Sequence, residues 1–106
     1  MAITGLDTGG YNVSPSEVEA VLRLHPSVTD AAVFGKPLQR GGEMVVAAIE
    51  LEPSAELDTA ALRAHCREHL AGYKVPRRFV QIKDTPRSML GKILRKQVRE
   101  RVLPSL

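Results

Sequence analysis

Gly91-Lys92, near the end of the chain, is the kind of pair that can bring an ammonium group to a phosphate. A P-loop places a glycine five residues before such a pair and Ser or Thr after the lysine. Pro86 and Ile93 occupy those positions here, so the P-loop reading fails. A different phosphate role stays open to Lys92. Apolar spacing starts the last helix at Ile93, which puts Lys92 at a helix N-terminus. The dipole disfavours a cation there unless an anion shares the spot. The plain alternative is a solvated lysine in a basic stretch.

His65-Cys66-Arg67-Glu68-His69 matches the inverted zincin pattern H-x-x-E-H. Histidines four apart on a helix can point at one metal, with Glu68 as base. No further carboxylate ligand is assignable and His25 is distant in sequence, so no metal site is expected. Cys66 shares an apolar face with Leu62 and Leu70, which reads as a buried, inert thiol rather than a nucleophile. Ser14 and Ser88 have no evident base partner, so a hydrolase triad is unsupported.

Short alternating elements must position these residues. Ser14 caps a helix that admits Pro15 at its first turn and completes a capping box with Glu17. Val18, Val21 and Leu22 share a face of that helix, and His25-Pro26 ends it. Val28 to Phe34 reads as a strand ending at Gly35, and Met44 to Leu51 as a second. The near-continuous apolar run Val45-Val46-Ala47-Ala48-Ile49 fits a strand covered on both faces. Asp58 caps a second helix carrying Leu62, Cys66 and Leu70, with Gly72 as its left-handed terminator. Phe79 to Ile82 is a third strand. Ile93 to about Leu103 forms the last helix, with Leu94, Val98 and Val102 inward. The order helix, strand, strand, helix, strand, helix implies an α+β (α/β-like) domain: a small, mainly three-stranded sheet flanked by helices.

The 106 residues suit one domain with a modest core, at 43% hydrophobic and 25% charged. No apolar run reaches the roughly 20 residues of a membrane-spanning helix, and the first residues lack a signal peptide's pattern. One cysteine excludes an internal disulfide framework and fits a reducing cytoplasm. The net charge of +3 is unevenly spread: from Arg77 onward nine basic residues face only Asp84 and Glu100. That third of the chain suits an anionic partner. Nucleic acid is disfavoured, because Phe79 is the only aromatic in the segment and no base-stacking platform forms.

Taken in order, several segments resemble the C-terminal domain of adenylate-forming acyl-CoA synthetases. They are Gly9-Gly10-Tyr11-Asn12-Val13-Ser14-Pro15-Ser16-Glu17-Val18-Glu19, His25-Pro26-Ser27-Val28 with Ala31-Ala32-Val33, and Arg40-Gly41-Gly42-Glu43. Tyr73-Lys74-Val75-Pro76-Arg77 and Pro86-Arg87-Ser88-Met89-Leu90-Gly91-Lys92-Ile93-Leu94-Arg95 complete the set. The resemblance implies a two-step ligase. A carboxylic acid, expected to be fatty, reacts with ATP and Mg2+ to give an acyl-adenylate, and the thiol of coenzyme A then displaces AMP. Lys92 matches the lysine that reaches the acyl carboxylate and the α-phosphate, and Gly91 is expected to give its loop freedom. Gly9, Gly10 and Tyr11 match the segment lining the pantetheine passage. Arg40, Arg67, Val75, Pro76 and Arg77 match coenzyme A contacts.

The resemblance also implies an organisation: residues 1–13 as a hinge-proximal hairpin and 14–106 as the mobile domain. The hinge residue would precede Met1, Met1 to Gly5 would form a hairpin strand, and Leu6 to Gly9 an extra loop. ATP, Mg2+ and the acyl group would be held mainly by an N-terminal domain, so the chain alone is expected to be inactive. Ser88 and Leu90 depart from the family's usual small polar residues in the lysine loop. Two alternatives are an adenylation domain serving a carrier-protein thiol, disfavoured by Lys92-Ile93-Leu94-Arg95 in place of Gly-Lys-x-Asp-Arg, and a small basic nucleic-acid-binding module.

Overall fold

A computed structural model describes residues 5–8 and 11–106. The elements are β1 (Leu6–Asp7), β2 (Asn12–Val13), α1 (Pro15–Arg23), β3 (Val28–Pro37), β4 (Glu43–Leu51), α2 (Thr59–His69), β5 (Arg78–Gln81) and α3 (Arg95–Val102). Short 3-10 turns cover Gly72–Lys74 and Leu103–Ser105. The α+β expectation is met: a three-stranded sheet, a small N-terminal hairpin and three α-helices.

Both main caps form where the sequence puts them. The Ser14 hydroxyl accepts the Glu17 N–H at 3.4 Å, and the Asp58 carboxylate accepts the Ala61 N–H at 3.0 Å. Each bond satisfies an N–H that the first helical turn leaves without a partner.

In the main sheet β4 is central, antiparallel to β3 and parallel to β5. Alternation divides its side chains between two layers. Val45, Ala47 and Ile49 join Ala31 and Val33 beneath α1 and α2, with Val18, Leu22, Leu62 and Cys66. Val46 and Ala48 join Ala32 and Phe34 beneath α3, with Val98 and Val102. The unbroken apolar run of β4 therefore comes from burial on both faces.

The structure alters several boundaries. β3 continues through Gly35 to Pro37, because Gly35, Lys36 and Pro37 pair with Val45, Met44 and Glu43. The reversal is tighter than the sequence suggests, with Gly41 and Gly42 at φ of 91° and 75°. β5 begins and ends one residue earlier, at Arg78–Gln81. Gly72 does not terminate α2. That helix ends at Leu70, whose backbone is extended, and Gly72 instead begins a 3-10 turn. Leu6–Asp7 is not loop but the strand paired with Asn12–Val13. Met1 to Thr4 lie outside the described residues.

The end of the chain differs most. α3 starts at Arg95, not Ile93, and Ile93 forms a β-bridge with Arg87. Lys92 therefore lies outside the helix, and the expected opposition of its charge to the helix dipole does not arise. The early helical residues are instead given to a hairpin, so Leu94 is half-buried and not helical, and it is Ile93 that packs against the Val98 and Val102 layer.

Candidate functional site

Residues 86–94 fold back on themselves. Leu94 N–H bonds to Pro86 O at 2.8 Å, Ser88 N–H to Lys92 O at 2.8 Å, and Gly91 N–H to Ser88 O at 2.9 Å. The Ser88 hydroxyl accepts the Lys92 N–H at 3.2 Å. Gly91 closes the turn at φ 84°, and its contribution here is a left-handed backbone that a side chain would strain. Met89 and Leu90 form the tip and are 105% and 89% exposed. Lys92 follows them, exposed, and among the described residues no ion pair or hydrogen bond engages its ammonium group.

The hairpin is tied to one end of the sheet by Arg87. Its guanidinium lies 2.9 Å from Asp30 Oδ2, 2.9 Å from Glu50 Oε1 and 2.9 Å from Gly91 O. Burial would raise the Asp30 pKa, but hydrogen bonds from Arg87 and the Ala31 N–H and the charges of Arg87 and Arg23 outweigh it and hold it below the usual value. The Glu50 pKa is lowered chiefly by the Thr85 hydroxyl, against burial, with help from Thr29 and Arg87. Acids lowered by folding stabilise the native state above their unfolded pKa values, and that contribution disappears as pH falls through the lowered folded values. Carboxyl NMR titration should find both groups still ionised when ordinary Asp and Glu have half protonated. Titration at ordinary values would contradict the ion-pair geometry.

The other end of the sheet carries a groove of about 630 Å3. Arg40, Arg67, Val75, Pro76 and Arg77 all line it, and so do Arg63 and Tyr73. Arg63 escaped the sequence reading although it stands one turn before Arg67 on α2, a spacing that puts both on one face. Its guanidinium lies 5.5 Å from the Phe79 ring centroid and donates to Arg77 O at 3.4 Å. Tyr11 stacks on Tyr73, with centroids 4.7 Å apart and planes 28° apart. Gly9 and Gly10, expected beside Tyr11, lie outside the described residues. Four guanidinium groups against one lining carboxylate, Glu43, give this groove a positive lining of the kind that suits anions.

The remaining motifs have structural uses. His65 Nε2 lies 2.7 Å from Val21 O and His69 Nδ1 3.0 Å from His65 O. A carbonyl only accepts, so each of these nitrogens carries the proton and has no lone pair for a metal. Among the described residues no group of three or more His, Cys, Asp or Glu side chains is placed to hold a metal ion. Cys66 is fully buried, and burial pushes its thiol pKa up to about 11. Much of the C-terminal basic charge is consumed internally. Arg87 and Arg95 pair with carboxylates, Arg99 donates to Gly35 O, and Arg101 donates to Lys83 O and Asp84 O.

The family model described as "AMP-binding enzyme C-terminal domain" matches residues 17–92, most of the chain. The chain belongs to that family. This C-terminal domain is 45% identical over 97 residues to 2-succinylbenzoate--CoA ligase of Geobacillus kaustophilus, covering 92% of this chain and 20% of the relative. It is 41% identical over 96 residues to 4-chlorobenzoate--CoA ligase of a Pseudomonas species, covering 90% and 18% respectively. Among solved structures, a Mycobacterium tuberculosis fatty acyl CoA synthetase matches with a TM-score of 0.86 and 31% identity, covering 96% of this chain and 20% of that one. A Brucella canis acyl-CoA synthetase gives 0.87 and 30%, covering 99% and 20%. The AMP-binding C-terminal domain described here thus spans about a fifth of the length of the relatives it matches. No helix of its described residues is long and apolar enough to cross a membrane.

Proposed function

We propose that this chain serves as the mobile C-terminal domain of an AMP-forming acyl-CoA synthetase. The carrying observation is the separation of its two cationic features. Lys92 stands on the hairpin tied to Asp30 and Glu50, where β3 begins and β4 ends. The arginine groove includes Glu43 and Val45, where β4 begins. Those places lie about 20 Å apart along a strand that rises about 3.3 Å per residue. That separation supports a reading in which the domain turns between two half-reactions and presents one feature in each.

In the first, a carboxylate oxygen attacks the α-phosphorus of ATP and pyrophosphate leaves. The Lys92 ammonium stabilises the charge gathering on the carboxylate and the α-phosphate oxygens. In the second, the sulfur of coenzyme A, as thiolate, attacks the acyl carbonyl and AMP leaves. The groove holds the phosphates of coenzyme A through Arg40, Arg67 and Arg77, with Arg63 beside them. Tyr11 and Tyr73 flank the passage that would also include Gly9 and Gly10, and Val75 and Pro76 form its apolar wall. Residues 1–13 act as the hinge-side hairpin and 14–106 as the moving body. An N-terminal domain supplies the sites for ATP, Mg2+ and the acid, which we expect to be fatty. Mg2+ finds no carboxylate cluster among the described residues, and the chemistry assigned to this chain needs none. The cytoplasm, where a single buried thiol stays reduced, is the proposed compartment.

Replacing Arg40 and Arg67 together by alanine in the full-length enzyme should raise the KM for coenzyme A about 10- to 100-fold, the worth of one or two charge-assisted bonds. Acid-dependent ATP–pyrophosphate exchange should not change. An unaltered KM for coenzyme A would remove the groove from the mechanism. The relatives' names as CoA ligases favour coenzyme A over a carrier-protein thiol as acceptor. Acyl transfer to a carrier protein, seen as a gel shift, in preference to coenzyme A would reverse that choice.

A further inference from the structure

Among the described residues, Arg87 is the one side chain that bonds the two carboxylates at the end of the sheet and also the backbone of the lysine hairpin. Asp30 stands near the start of β3, Glu50 near the end of β4, and Gly91 O belongs to the peptide unit that leads directly into Lys92. Each carboxylate is itself held. Asp30 Oδ1 accepts the Ala31 N–H at 2.8 Å and faces Arg23 at 3.4 Å. Glu50 accepts the hydroxyls of Thr29 and Thr85, the former at 3.0 Å. Two of the three acceptors of the guanidinium are thus carboxylates held in place by other groups. A planar fork can reach three such acceptors together, which a lysine ammonium on a flexible stem cannot do in one fixed geometry.

The hairpin's own bonds fix its shape but not its direction. Ser88 bonds Gly91 and Lys92 across the turn, the tip residues Met89 and Leu90 are exposed, and among the described residues the side-chain bond from the turn to the rest of the domain is the one Arg87 gives to Gly91 O. Orientation relative to the sheet must come from the base of the hairpin, where Arg87 sits opposite Ile93. We propose that Arg87 is a positioning residue for adenylation, clamping the hairpin so that Lys92 meets the α-phosphate in a preset direction. The proposal rests on the adenylation role given to Lys92. The Arg87 side chain is 32% exposed, and ion pairs this accessible add little to global stability. Positional error is different, since a shift of about 1 Å at a reacting group can cost about 100-fold in rate.

The test uses the full-length enzyme carrying Arg87→Ala and Arg87→Lys. Arg87→Ala should slow adenylation about 10- to 100-fold, while thioester formation from supplied acyl-adenylate stays at the wild-type rate. Hydrogen exchange in the peptide spanning residues 88–94 should quicken, with the thermal midpoint nearly unchanged. Arg87→Lys should recover part of the adenylation rate and part of the protection. Equal losses in both half-reactions would mark a general structural role and overturn the proposal, as would undiminished adenylation. Unchanged exchange in 88–94 would overturn it too. Lys92→Ala, measured alongside, separates the two layers: if it spares adenylation, the proposed chemistry fails, while the exchange data still judge the clamp.

Discussion

Lys92→Ala in the full-length enzyme is expected to slow acyl-adenylate formation by about 100- to 1,000-fold, the usual effect of losing one group that stabilises transition-state charge. Thioester formation from supplied acyl-adenylate should keep its wild-type rate if, as proposed, that step draws on the arginine groove at the opposite end of the sheet. The contrast is what matters. An ammonium on an exposed turn contributes almost nothing to folding, so the variant should unfold at the same temperature as the parent. Stopped-flow measurement of the two half-reactions reads the split directly. Comparable losses in both steps would mean that Lys92 acts on something other than the α-phosphate.

The second large effect concerns stability. Glu19 is only 4% exposed, yet it receives Arg95 through both oxygens, at 2.8 and 2.7 Å, and the Val33 N–H at 2.8 Å. These bonds join α1, β3 and the start of α3, four residues after Gly91. The Arg95 pKa is raised, first by its hydrogen bond to Glu19. Glu19→Ala strands the Val33 N–H in a dry interior and leaves a guanidinium without its counter-charge. A cost of about 3 kcal/mol is expected, at the lower end for broken buried pairs because Arg95 keeps partial access to water. Glu19→Gln keeps one oxygen that can accept both the Val33 N–H and the Arg95 Nε–H, while its amide NH2 replaces the acceptor of the other guanidinium arm, so it should cost less, about 1 to 2 kcal/mol. Urea unfolding gives both values as shifts in midpoint at constant slope. Equal costs for the two variants would show that charge, rather than the orphaned N–H, dominates.

Local chemistry made much of this fold legible. Ser14 and Asp58 cap because their oxygens reach N–H groups two or three residues away, a relation visible in any short window. The run from Val45 to Ile49 disclosed a strand buried on both faces for the same reason. Failures arose where long-range pairing prevailed over local preference. Apolar spacing extended α3 back to Ile93, but the Arg87–Ile93 bridge and the carboxylates of Asp30 and Glu50 claim those residues for a hairpin. Gly72 looked like a helix terminator, although Leu70 had already turned extended to enter the core.

The candidate site was legible unevenly. Lys92, Arg40, Arg67 and Arg77 emerged from ordered motifs, and the last three do converge on one groove. Arg63 was recoverable from helical spacing. The stacking of Tyr11 on Tyr73 was not, since 62 positions separate the pair and only the folded sheet brings them together. Arg87 was equally hidden, as its acceptors lie 57 and 37 positions away.

A crystal structure of the full-length enzyme with its acid and an unreactive ATP analogue tests the central claim most directly. The account predicts the Lys92 ammonium within about 3 Å of an α-phosphate oxygen, with Met89 and Leu90 covered by the larger domain and the arginine groove open to solvent. A complex in which the groove faces the nucleotide while Lys92 points into water would contradict it.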